Sequence, residues 1–102
     1  MHDWTLISLD FEWATGVATI KFLNSESNIE LLIVKGGSMI HVPREQEWGR
    51  SVSVNKVIGP TQLESDKQRL QIEMQSGDII EIIAISFELA SKNNRKPLFP
   101  AT

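Results

Sequence analysis

The sequence predicts an all-β protein: a single-domain antiparallel β-sandwich or flattened barrel of about seven to eight strands, with a mobile C-terminal tail. Three observations support this. Apolar residues recur at every second position through most of the chain, which is the period of a half-buried strand. Turn-forming residues separate these runs. No run shows the 3.6-residue period of an amphipathic helix, so the elements have to pack as sheets.

The first two runs predict an antiparallel hairpin. Residues 4–13 place four apolar side chains on one face of a strand: Ile7, Leu9, Phe11 and Trp13. Residues 17–23 alternate in the same way, and Ala14-Thr15-Gly16 supplies a turn in which the glycine can adopt positive φ. We therefore expect Trp13 to pack in the core. Trp4 lies on the opposite face, at an edge or over the second side of the sheet.

Two strands are predicted next, after a polar loop. Residues 29–35 are nearly continuous aliphatic sequence, which is typical of a strand covered on both faces. Gly36-Gly37 ends this run, and a shorter strand follows over residues 38–42. Pro43 cannot donate a backbone hydrogen bond, so it ends the strand or places it at an edge.

The run 51–58 predicts a fifth strand. Its alternation is interrupted near Asn55–Lys56, which indicates a β-bulge. Gly59-Pro60 is expected to end the strand. Residues 61–67 then form either one helical turn, for which the capping-box spacing is present, or a loop.

The last predicted hairpin joins residues 69–75 to residues 79–89 through the turn Ser76-Gly77-Asp78. The second of these strands is apolar on both faces, which favours a central position. The alternation ends near residue 90. We therefore assign residues 1–90 to the all-β domain and residues 91–102, which contain two prolines, to a flexible tail.

Composition and charge narrow the classes of function. The chain of 102 residues has a formal net charge of −3 and no cysteine. An acidic chain without a basic face is a poor binder of nucleic acid, because phosphate contacts need concentrated Lys and Arg. No apolar run is long enough to cross a membrane, and no signal peptide is recognisable. We expect a cytoplasmic protein with neither nucleic acid nor membrane as partner.

A charged, tryptophan-bearing turn between two predicted strands, residues 43–50, is the best candidate for a binding surface, because loops on a rigid β-scaffold commonly carry function. Aromatic and arginine side chains are also typical of interface hot spots. The alternative is a structural corner in which the tryptophan is an anchor. The candidate binding residues are His41, Arg44, Glu45, Glu47, Trp48 and Arg50.

Catalysis is less favoured by the sequence than binding. A serine, histidine and carboxylate arrangement would have to be assembled from Ser51 or Ser53 with His41 and Glu45, and no nucleophile-elbow motif is present. The histidines and carboxylates do not follow any metal-binding template. We therefore predict no catalytic residue, no metal ligand and no cofactor.

Several short motifs resemble those of an uncharacterised family of small bacterial all-β proteins. They are His2-Asp3-Trp4, Val42-Pro43-Arg44 followed by Trp48-Gly49, Ser51-Val52-Ser53-Val54-Asn55, and Met74-Gln75-Ser76-Gly77-Asp78-Ile79. The resemblance covers residues 2 to about 89 and leaves out the tail. It implies a shared fold, and it implies no activity and no role for any residue.

These observations favour a non-enzymatic protein–protein interaction module of unknown partner, either an adaptor or an immunity-type protein. Self-association is a further expectation, because the strands 38–42 and 51–58 are candidate edges and a free edge can pair with a second copy. The alternative is a small-ligand-binding or hydrolytic β-domain. Its pocket would be formed by His41, Arg44, Glu45 and Trp48.

Overall fold

The computed structural model describes residues 1–45 and 52–91, and the backbone of residues 94–97. Within these ranges the chain forms antiparallel strands and no helix, which confirms the all-β prediction. The strands are β1 (Thr5–Glu12), β2 (Val17–Leu23), β3 (Ile29–Lys35), β4 (Met39–His41), β5 (Val54–Gln62), β6 (Gln68–Met74), β7 (Ile79–Ala84), β8 (Ser86–Ser91) and β9 (Asn94–Pro97).

The strands form two sheets that pack face to face. One sheet has the order β1-β2-β3-β8-β9 and the other the order β4-β7-β6-β5. The beginning of β1 also bonds to the segment that leads into β5. Leu6 N–H donates to the Val52 carbonyl oxygen at 2.7 Å, and Val54 N–H donates to the Trp4 carbonyl oxygen at 2.8 Å. The sandwich is therefore joined along one side, as in a flattened barrel.

A bent two-stranded ribbon links the sheets on the other side. β3 pairs with β8 in one sheet, and β4 pairs with β7 in the other. The bend falls at Gly36 and Ile85. Gly36 has a φ of +66°, and a Cβ built there would lie 2.7 Å from the Ile85 side chain. A glycine is thus required both by the backbone conformation and by the close approach of the facing side chain.

The predicted single strand 79–89 is wrong, because the chain changes sheets in its middle. Ile82 and Ala84 are buried in β7, whereas Phe87 is buried in β8, so the buried face shifts from even to odd positions. Ile85 is the extra residue at the shift and is half exposed. The prediction that β7 is central is confirmed, since β7 lies between β4 and β6.

The core lies between the sheets and is aliphatic except for two phenylalanines. Trp4 closes its N-terminal side, with its ring centroid 6.0 Å from that of Phe22. The buried apolar residues are Ala18, Ile20, Phe22, Leu32, Val34, Val54, Leu70, Ile72, Met74, Ile80, Ile82, Ala84 and Phe87. Within residues 17–23 and 69–75, the buried residues occupy every second position, as the alternation predicts.

The predicted inner face of the first strand is only partly correct. Leu6 pairs with Phe22 but Ser8 pairs with Lys21, so Ile7 is an extra residue in a β-bulge. The bulge changes which positions face the core. Leu9 is partly buried against the core, whereas Ile7 is 48% exposed. Trp13 is 91% exposed, so the expectation of a core tryptophan is wrong.

Strand β5 is longer than predicted and contains two irregularities. The expected bulge is confirmed, because Val54 pairs with Met74 and Lys56 with Glu73. Gly59-Pro60 does not end the strand. These two residues lie opposite Leu70 in a second bulge. A bulge tolerates proline, because the proline does not have to donate a hydrogen bond to the neighbouring strand there. Residues 63–67 form a loop, so of the two predicted alternatives the helical turn is wrong.

Strand β3 and the C-terminal segment also differ from expectation. In β3 only one face is fully buried, by Leu32 and Val34, while Leu31 and Ile33 remain half-buried. The residues predicted as a tail contain β9, which pairs with β8. The sequence does not predict this strand, because its four residues do not alternate.

Candidate functional site

A mostly apolar hollow lies beside β1. We call it the mouth. Its volume is about 320 Å³. It is lined by residues of β1, by residues of β6, β7 and the turn between them, and by the segments on either side of residues 46–51. The lining side chains come from four separate parts of the chain: Leu6, Ile7, Ser8 and Leu9; Val42, Pro43 and Arg44; Val52; and Met74, Ser76, Asp78 and Ile80.

The depth of the mouth is apolar because it reaches the core. Met74 and Ile80 are buried core residues, and Leu6 and Leu9 pack against the same cluster. Its rim is also apolar, because three aliphatic side chains remain exposed there. Ile7 is 48% exposed, Val42 42% and Val52 56%. Exposed aliphatic side chains that line the same hollow are a feature of binding surfaces.

The polar groups of the mouth are held by the tight β6–β7 turn. Asp78 is almost fully buried and accepts two hydrogen bonds. The Ser76 hydroxyl donates to its Oδ2 at 3.0 Å, and the Glu45 backbone N–H donates to its Oδ1 at 3.2 Å. These bonds satisfy the carboxylate within the protein. The second bond also ties the backbone at Glu45 to the β6–β7 turn.

Among the described residues, Arg44 is the only cationic side chain that lines the mouth. It is exposed, and it forms no ion pair with any side chain in the described part of the chain. An exposed guanidinium beside an apolar hollow can pair with a carboxylate or a carbonyl group of a bound molecule.

A second, polar hollow adjoins the mouth across Pro43 and Asp78. It has a volume of about 360 Å³ and contains His41, Glu45, Gln71 and Glu81. Strand pairing places His41 opposite Glu81. Glu81 is already engaged, because Gln71 donates to it at 3.3 Å and Arg69 lies 3.9 Å away. The arrangement is that of a solvated strand face with cross-strand polar pairs.

The structure describes three of the predicted binding residues and places them in two neighbouring hollows. Arg44 lines the mouth, whereas His41 and Glu45 line the polar hollow. Glu47, Trp48 and Arg50 lie outside the described residues, so the choice between a contact surface and a structural corner stays a prediction. Ser53 pairs with Thr5 and lines neither hollow, and Ser51 lies outside the described residues.

Several lining residues were not predicted. Ile7 was assigned to the core because the bulge is invisible in the alternation of a single strand. Asp78 and Ser76 were interpreted only as a turn. The signal that was present was the aliphatic character of Val42 and Val52 on either side of the charged residues. Only the three-dimensional arrangement shows that the two valines meet across one opening.

In the ranges 1–45 and 52–91, no three histidine, aspartate or glutamate side chains converge in a group that could hold a metal ion. The described part of the chain contains no helix of the length and apolarity that membrane crossing requires.

Comparison of the chain with protein-family models, with curated proteins and with solved structures found no match. The resemblance to a family of small bacterial proteins therefore stays a prediction. A function for this chain has to be argued from its own geometry.

Proposed function

We propose that the protein is a non-enzymatic protein–protein interaction module that receives an apolar side chain of a partner protein in the mouth. One observation carries the proposal: the exposed rim formed by Ile7, Val42 and Val52 surrounds a hollow that continues into the core. Burying exposed aliphatic surface lowers the free energy by about 25 cal/mol per Å², so a partner that fits the mouth gains binding free energy by covering these side chains.

The chemistry of the site favours binding over catalysis. His41 lines the polar hollow, and none of the described serines lines it. A nucleophile and its base must be within hydrogen-bond reach of each other, and the described residues offer no such pair there. Asp78 is satisfied by Ser76 and Glu45, which gives it a structural role.

The mouth offers specificity as well as affinity. Arg44 stands at the edge of an apolar patch, which is where charged groups of an interface orient a partner without the cost of full burial. A partner segment with one apolar side chain flanked by an acidic residue matches this arrangement. We propose that the protein acts as an adaptor or as an immunity-type protein in the bacterial cytoplasm.

Small-ligand binding is a second candidate function. A volume of about 320 Å³ lies at the lower end of the range for small-molecule sites, roughly 300–1,000 Å³. A mostly apolar molecule with an acidic group would place its body in the mouth and its charge beside Arg44. Native mass spectrometry of the protein purified from its source separates the candidates, because a retained small molecule adds a defined mass.

The test of the proposal compares two matched baits in affinity capture from the source cell. Val52→Asp places a charge on the rim, and Ile58→Asp places the same charge on an exposed aliphatic position of β5 that does not line the mouth. Both positions are exposed, so both variants should fold. We expect the captured partner to bind at least 10-fold more weakly to Val52→Asp and normally to Ile58→Asp. Equal capture by both baits would contradict the proposal.

A further inference from the structure

The bent ribbon has four flanking positions, and three of them are filled by strands of the chain. On the side of β7 and β8, β6 pairs with β7 and β9 pairs with β8. On the side of β3 and β4, β2 pairs with β3. No described strand pairs with the outer edge of β4, which is the end strand of its sheet.

The position occupied by β9 shows what such a place can hold. β9 has four residues, 94–97, and its backbone pairs with β8. The free position beside β4 lies diagonally across the ribbon from the position that β9 occupies beside β8. β4 has three residues. A short extended segment therefore matches both positions in length, at about 3.3 Å per residue.

A hollow of about 470 Å³ lies beside β4. Its lining consists of Phe11, Trp13, Gly16, Gly37, Ser38, Met39 and Ile40, none of which carries a charge. The Trp13 side chain is 91% exposed, and its ring centroid lies 6.1 Å from that of Phe11. A large aromatic side chain in this position exposes an apolar surface that nothing in the described part of the chain covers.

We propose that the outer edge of β4 accepts a short extended segment of a partner protein, which pairs with Met39–His41 and places an uncharged apolar side chain against Trp13. The free backbone groups of the edge supply hydrogen bonds, and the hollow selects side chains at alternate positions. Because none of the residues that line the hollow is charged, the lining favours an apolar side chain of the partner against Trp13. This surface is separate from the mouth, so the inference does not rest on the proposed function.

The size of the edge favours a peptide segment over a second copy of the chain. β4 offers three residues, or about 10 Å of strand. A stable two-fold interface commonly buries about 800 Å² on each partner, which a contact confined to this edge and one tryptophan does not reach.

The experiment is selection of a displayed library of random heptapeptides on the folded full-length protein. We expect enriched peptides to have apolar residues at alternate positions and to slow hydrogen exchange at the amides of Met39–His41. Trp13→Ala should weaken their binding at least 10-fold. Ile58→Ala, an exposed aliphatic change on β5, should leave it unchanged.

Three results would overturn the inference. One is the absence of any enriched peptide, and another is enrichment of peptides that bind Trp13→Ala as well as they bind the unchanged protein. The third is a concentration-dependent dimer in sedimentation velocity that Trp13→Ala abolishes, since the occupant would then be a second copy. Val52→Asp should not affect the selected peptides, which keeps this test independent of the mouth.

Discussion

Trp4 and Trp13 differ in their surroundings although the bulge at Ile7 places their positions in the same phase of the strand. Trp4 packs against the core, whereas Trp13 follows the last residue of β1. Trp4, before the bulge, lies against the Phe22 ring, whereas Trp13, near the turn, is almost fully exposed. Similar residues in one predicted strand thus serve the core in one case and the surface in the other.

This difference predicts that two tryptophan substitutions change the free energy of unfolding by different amounts. Trp4→Ala removes packing against the core and should lower the free energy of unfolding by about 1–3 kcal/mol. Trp13→Ala changes an exposed position and should shift it by no more than about 0.5 kcal/mol. Urea unfolding followed by far-UV circular dichroism measures both. A large loss in Trp13→Ala would show that this side chain is covered in solution.

At the scale of elements, the bend in the ribbon decides where both candidate surfaces lie. The sheet change at Gly36 and Ile85 carries β4 and β7 into the second sheet. β4 then has a free outer edge, and the residues that follow it, Val42 to Arg44, reach the mouth. A straight ribbon would have kept both strands in one sheet and formed neither surface.

The bend predicts a strong coupling between Gly36 and Ile85. Gly36→Ala should destabilise the protein by about 2 kcal/mol or more, because the new Cβ meets Ile85 and the positive φ disfavours alanine. Ile85→Ala alone should have a small effect, since that side chain is half exposed. In the double variant, part of the loss should be recovered, with an interaction energy of about 0.5–3 kcal/mol. Strictly additive unfolding free energies would contradict the contact.

At the scale of the whole molecule, the two sheets pack around one core. The core residues run from Ala18 to Phe87, and hydrogen bonds between Leu6 and Val52 and between Trp4 and Val54 join the sheets at their edges. Among the described strands, β9 pairs with β8 and with no other. The assignment of residues 1–90 as the domain stays a prediction that this arrangement makes testable.

A chain that ends at Ser91 should therefore fold and unfold in a single cooperative transition. Among the residues whose burial the structure describes, none after Phe87 belongs to the buried core, so we expect truncation to leave the packing between the sheets in place. Thermal unfolding with coincident circular dichroism and fluorescence transitions tests this expectation. A truncated chain that is unfolded or aggregates would show that the C-terminal segment belongs to the domain.

The alternation of apolar residues determined the strands and their class. The buried faces of β2 and β6 and the turns at Gly16 and Gly77 follow from it, because side chains of a strand point to opposite sides at every second residue. The bulge near Asn55 was visible for the same reason, since it breaks the alternation within one strand.

The pairing of remote segments decided the rest. Whether Ile7 is inside or outside depends on its register with β2, and the division of 79–89 depends on which sheet each half joins. The mouth exists only because Val42 and Val52, ten positions apart in sequence, meet opposite β1. Alternation is a local property of one strand, whereas register, sheet membership and the convergence of side chains are set by hydrogen bonds and packing between strands.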